Sequence, residues 1–377
     1  MIPTVHEDRD HRGRARYRLT DTENGHIWGV CSEADGLFGS PRRGTYELFG
    51  WVPEPEPEEA EVRGWVGSRV WLVPEDGESE PWLLEDAQSL GRHPGTDGLV
   101  LTGLDDYEGP PEGHRGMVRV HDEYRWLGSC REFARVLPPE RDAPPLVLRG
   151  LAPDERLRQA LSKGTRRALD LEQAALEIWD DQGEPLIEML LWTRVSAWRP
   201  SAYGTDPGAC PGTHLIDLEL DGKLFTPVPE YVRPLWERWF SGPPDAPGAW
   251  AGLDTRRRGA WLDLVRDRAC RRAHRDRPSG HPYELDGRHI TDVPGLYLAL
   301  GEAVNGPGGY FGGCPAAVDD CLRGTFGYTA PGALLWRDAA IARKHLSRIL
   351  TPDGRPYDLF TETLDALTRG GIDVTLR

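Results

Sequence analysis

From residue 14 to 137 the apolar residues fall in short, roughly alternating runs: HIWGVC (His26 to Cys31), TYELFGWV (Thr45 to Val52), SRVWLV (Ser68 to Val73), GLVLTGL (Gly98 to Leu104) and GMVRVHDEYRWL (Gly116 to Leu127). Gly, Pro and acidic residues separate them, the pattern of strands joined by turns, so the spacing predicts a β-rich region. The acidic Pro-Glu run between Trp51 and Gly64 reads as a solvated loop.

Further along, the period lengthens. Residues 153 to 179 carry helix-forming residues at helical spacing, with Gly164 as a break, and predict helix. Strands then fit IEMLLWTRVSAW (Ile187 to Trp198) and THLIDLEL (Thr213 to Leu220), followed by a Trp-rich helix at EYVRPLWERWF (Glu230 to Phe240). An arginine-rich block, Arg256 to Arg277, spaces Trp261, Leu264, Val265 and Cys270 as one face of an amphipathic helix and stops at Pro278-Ser279-Gly280.

The last stretch has the sharpest pattern. YELDGRHI (Tyr283 to Ile290) predicts a strand, and DVPGLYLALGEAV (Asp292 to Val304) a helix with Leu296, Leu300 and Val304 on one face and Asp292 as its cap. NGPGGYFGG (Asn305 to Gly313) must be a loop, and Pro315 opens the next helix. ALLWRD (Ala333 to Asp338) reads as a buried strand, Asp338 as cap of a helix from Ala339 to Ile349, and YDLFTETLDALTRG as a last helix leading into the strand IDVTL. Strands alternating with helices imply a parallel sheet. The expected fold class is α/β and β-rich multidomain: a β-rich, Trp-containing domain over 1–140, a mixed α/β region over 141–280 ending in the basic helix and linker, and a third domain over 281–377 with a three-stranded parallel sheet flanked by helices.

Composition narrows the function classes. With 33 prolines and 44 glycines in 377 residues, turns and short strands are favoured over a helical bundle. A net charge of −16 argues against nucleic acid as partner, which needs a basic surface, and suits a basic protein. The local exception is residues 254–280, with nine Arg against four Asp; a solvated helix face or a docking surface for acidic neighbours is preferred to an RNA grip. No apolar run approaches the roughly 18 residues of a membrane span, and the start has no apolar segment after its charges, so no membrane or signal segment is expected. The six cysteines form no C-x-x-C pair, which fits reduced thiols in a cytoplasmic protein. His6 and His11 are expected in an unstructured start, and no metal or cofactor is expected. The sequence has no Gly-x-Ser-x-Gly, Walker or dinucleotide motif, and the chain is expected not to be an enzyme. Trp28, Trp51, Trp65, Trp71, Trp82 and Trp126 are expected mainly in cores.

The segment YFGGCPAAVDDCL, Tyr310 to Leu322, carries the most chemistry. It sets an aromatic-glycine loop before a short helix bearing Asp320, with no His, Lys or second carboxylate four residues away to make an acid-base pair. With the opening ELDG strand and the closing GGIDVTL strand, this segment resembles the barstar family of small intracellular ribonuclease inhibitors over roughly residues 283–377. The resemblance implies a cytoplasmic inhibitor of a small, basic, guanyl-specific ribonuclease. In that family an Asp takes the place of a substrate phosphate in the enzyme's active site, and the matching residue is Asp320. Tyr310 matches an aromatic at the mouth of the loop, Gly312 its turn, and Cys321 a buried helix cysteine. The ribonuclease-binding set so implied is Asp320, Tyr310, Asp319, Phe311, Gly312, Gly313, Cys314 and Ala316, with Tyr310 expected to be the exposed ring and Phe311 the packed one. The best-known member has Asn and Asp where this chain has Cys314 and Ala316, and Trp where it has Asp319. The rival reading is a regulatory scaffold that uses the same fold for a partner other than a nuclease.

Overall fold

The computed structural model describes residues 15–41, 43–54, 63–105, 110–136, 145–163, 169–205, 214–221, 227–272 and 274–377. His6, His11, Gly164, Cys210, the double proline at 138–139 and most of the acidic Pro-Glu run lie outside them. The protein is mixed α/β and rich in strand. It divides into two compact units, 1–41 with 143–243, and 42–142 with 244–377. One cut, at 142–143, falls close to the boundary expected near 140, but each unit is built from two separate stretches of chain and no cut falls near 280. Chain from one β-sheet is interrupted by another, which composition alone does not reveal.

In the first unit, six antiparallel strands close on themselves. Tyr17–Asp21 pairs with His26–Cys31 and with Leu169–Trp179, Leu169–Trp179 with Pro185–Thr205, Pro185–Thr205 with His214–Asp221, and His214–Asp221 with Leu146–Pro153, which returns to His26–Cys31. The helix expected over 153–179 is thereby corrected: among its described residues only Glu155–Ser162 is helical, capped by Asp154, and Leu169–Trp179 is a strand. Leu176 and Ile178 are fully buried, and from Ala174 to Ile178 the strand is paired on both sides. Such tertiary pairing outweighs the weak helix preference of Leu, Glu, Gln and Ala. The Trp-rich helix forms at Arg233–Phe240 and buries Trp236 and Trp239.

The second unit contains a further closed sheet. Its strand order is Gly113–His121, Gly64–Pro74, Trp82–Arg92, Leu99–Asp105, Gly44–Phe49 and Trp126–Arg135, which pairs back with Gly113–His121. Tyr46, Leu48, Val70, Leu72, Leu101, Val118 and Phe133 fill its interior. Closure removes the free edge strands that an open sheet would have. Of the tryptophans, Trp51 and Trp71 are buried, while Trp65 is 41% exposed.

Residues 282–376 of the same unit build a three-stranded parallel sheet from Pro282–Asp286, Gly332–Arg337 and Ile372–Leu376, with Gly332–Arg337 in the middle. Helices Val293–Asn305, Pro315–Cys321, Ala339–Leu346 and Leu359–Arg369 connect the strands. Asp292 caps the first of them as expected, its carboxylate accepting the Gly295 N–H at 2.8 Å. Asp338 does not cap the third with its side chain; it sits in the left-handed region at φ 52°, and the helix stops at Leu346 rather than Ile349.

The Arg-rich helix, Thr255–Cys270, is shorter than the basic block and belongs to this unit. Three of its arginines point inward. Arg258 meets Asp292 at 3.0 Å, with both side chains buried, and also donates to Thr291 Oγ1 and the Ala251 carbonyl. Arg256 reaches Asp86 of the six-stranded sheet at 2.5 Å, where Arg43 also bonds, and Arg268 is buried. The sheet and the helical layer are joined again at His121, whose Nδ1 accepts the Glu123 N–H at 3.2 Å. That fixes the tautomer, so Nε2 carries the proton and donates to the Pro352 carbonyl at 3.1 Å.

Candidate functional site

The Asp320 region is assembled by glycines and one asparagine. Helix Val293–Asn305 ends at Gly306, whose φ of 78° only glycine adopts without strain. A side chain on Gly309 would begin 2.6 Å from the Gly301 carbonyl, so the loop lies directly on the helix it leaves. Asn305 holds it there, its side-chain amide donating to the Tyr310 carbonyl at 2.8 Å and the Phe326 carbonyl at 2.9 Å. Gly312 has φ 90°, and a Cβ there would stand 2.7 Å from the Val318 backbone nitrogen, so any larger residue would push the loop off the following helix.

That helix, Pro315–Cys321, buries Val318 and Cys321, with Leu322 beyond, and packs on helix Leu359–Arg369. Burial along this face turns Asp320 outward, and its side chain is 69% exposed. The carboxylate accepts a bond from Arg323 Nη1 at 2.9 Å, and Asp319 lies 3.8 Å from Arg369. Exposed pairs of this kind contribute little to stability and exchange readily for another cation. Cys314 and Ala316 are exposed, Gly313 is half-buried, and Gly312 is buried. Cys321 is an inert core thiol, pushed up to about 12 by burial.

The aromatic pair departs from expectation. Phe311 is fully buried as expected, edge-on to Tyr328, but Tyr310 is also buried, at 5% exposure. Its ring packs edge-on to Phe326, and burial pushes its hydroxyl up to about 12. The Arg-rich helix runs nearby: its Cys270 and Arg266 act electrostatically on the Tyr310 hydroxyl, and Leu262 Cδ2 and the Tyr310 ring edge each lie 3.8 Å from the point where a Gly313 side chain would begin. The rim position expected for Tyr310 rested on its hydroxyl, which tolerates partial exposure; the ring instead packs inward against Phe326.

What the arrangement offers is a carboxylate on a short, well-packed helix with an exposed, uncharged neighbourhood at Cys314 and Ala316. Among the described residues no group of three His, Cys, Asp or Glu side chains is positioned to hold a metal ion, and no helix is long and apolar enough to cross a membrane. No protein-family model matches the chain, and no curated protein matches it.

Proposed function

We propose that the layer from Pro282 to Leu376 is a barstar-like module that inhibits a small, basic, guanyl-specific ribonuclease by occluding its active site. The observation that carries this reading is Asp320, exposed on a helix that a glycine loop fixes from below. An ionised carboxylate accepts two parallel bonds from a guanidinium, which makes it a good stand-in for a substrate phosphate. On binding, Asp320 exchanges Arg323 for the enzyme's cations, and the surrounding Cys314 and Ala316 surface excludes water. No bond is made or broken. The full chain titrated into a guanyl-specific ribonuclease should reduce RNA cleavage in proportion to the amount added. Undiminished cleavage at stoichiometric excess rules out that target.

A second reading is favoured by one observation, the burial of Tyr310 beside Leu262. With the ring withdrawn, the surface around Asp320 is smaller than the resemblance implies, which suits a binding scaffold for another basic protein. Recovery of only non-nuclease partners in a pull-down, all lost with Asp320→Ala, would support it.

A further inference from the structure

The six-stranded sheet of the second unit encloses a cavity of about 130 Å³ that the Asp320 site does not use. Its inner wall is apolar, formed by side chains that include Leu101 and Leu127, and Arg63, Trp65 and Arg125 stand around it. The volume is close to that of an apolar cavity of roughly 150 Å³ that holds a benzene ring. Mouths of β-barrels are common places for small ligands.

Two further observations make this more than a packing defect. Trp51 lines the cavity at 5% exposure, and its indole N–H has no hydrogen-bond acceptor among the described residues. A buried donor left unmet is costly, and tryptophan is normally placed where its N–H finds a partner. The indole is accommodated by Gly128, where a Cβ would stand 2.6 Å from its Cζ2. Ser89 also lines the cavity; its hydroxyl accepts the Gly91 N–H at 3.2 Å, leaving its own proton to donate. The wall therefore presents the Ser89 hydroxyl and positive charge, and none of the described residues lining it is acidic. Arg125 is 3.5 Å from Asp122, a loose pair, whereas Arg63 has no ion pair among the described residues.

We infer that this cavity binds a small carboxylate whose apolar body is about the size of one ring. The body fills the space between Leu101 and Leu127 beside the Trp51 ring, and the carboxylate takes the Ser89 hydroxyl and the charge of Arg63. Arg125 contributes less, because Asp122 already shares it.

Benzoate is the probe, with benzyl alcohol as a neutral match of similar size. Added to the full chain labelled with nitrogen-15 in tryptophan, benzoate should shift the indole cross-peak of Trp51 saturably, that peak being the one missing from Trp51→Phe. Should Trp51→Phe not fold, the rise in melting temperature with benzoate serves instead, compared between the native chain and Arg63→Ala. Benzyl alcohol and the Arg63→Ala protein should each show binding weaker by roughly tenfold or more, as expected for losing a charge-assisted bond. The inference is overturned if benzoate gives no saturable change, if benzyl alcohol binds as well as benzoate, or if Arg63→Ala leaves benzoate binding unaltered.

Discussion

At the scale of single residues, the weight falls on Asp320. Truncating a carboxylate that is desolvated in a complex leaves its partner's charges unpaired, at a cost of about 2 to 5 kcal/mol. Asp320→Ala is therefore expected to weaken inhibition by on the order of 30-fold to several thousandfold, measured as the shift in a cleavage titration, while the same change at the half-buried Asp319, which is turned towards Arg369, weakens it much less. Tyr310→Ala should act differently. The ring is buried against Phe326, so its loss is expected to reduce unfolding free energy by about 3 to 5 kcal/mol in a denaturant titration, with any loss of binding following from lost structure. Asp217 gives a pH-dependent counterpart. Burial alone would raise its pKa, but bonds from Ser201, the Gly150 N–H, Arg149 and Arg199 outweigh that and lower it from 3.8 to about 2. Its contribution to stability is complete above the unfolded value of 3.8 and is lost as pH falls towards about 2, so Asp217→Asn should flatten the acid limb of stability in that window. The sequence showed Asp320, Cys321 and Leu322 correctly as outward and inward positions because helical spacing fixes their faces. It could not show the burial of Tyr310, whose ring packs against Phe326, sixteen residues further along the chain.

At the scale of elements, most boundaries could be read where patterns were local. Asp292 followed by Val293-Pro294 and ending at Gly306 is a helix with its start and stop written in it. Leu169–Trp179 was not legible, because its residues favour helix in isolation and only pairing with strands on both sides makes it β. The arginine block was read correctly as helical, but its charge suggested a solvated or docking face, and no local signal marks Arg258 as internal. Its pairing with the buried Asp292 joins the Arg-rich helix to the start of helix Val293–Asn305. Arg258→Ala leaves that carboxylate buried and unpaired, and breaking such a pair costs about 3 to 5 kcal/mol, measurable as a lowered denaturant midpoint.

At the scale of the whole molecule, the sequence did not disclose that one closed sheet interrupts another. Alternating strands look alike whether they belong to one sheet or two, and strand order depends on contacts across more than a hundred residues, such as Tyr17 with Ile178. Within the second unit the six-stranded sheet and the parallel layer should separate more easily in acid. His121 is fully buried, and that burial lowers its pKa below 6.5, only partly offset by the bond to the Pro352 carbonyl and by Asp122 and Asp353, while Arg119 adds to the lowering. The neutral ring is the stable form, so its contribution is complete above 6.5 and is lost as pH falls through the lowered value. His121→Gln should show a smaller drop in the denaturant midpoint between about pH 7.5 and about pH 5.5 than the native chain does.

The net charge of −16 bears on the central claim, since it would speed encounter with the proposed basic partner and make that encounter sensitive to salt. The most direct measurement titrates the full chain, and separately its Asp320→Ala variant, into a guanyl-specific ribonuclease at low and high salt while RNA cleavage is followed. The account predicts stoichiometric loss of cleavage with the native chain, a slower approach to inhibition at high salt, and little inhibition by Asp320→Ala. Equal inhibition by the two proteins, or none by either, would contradict it.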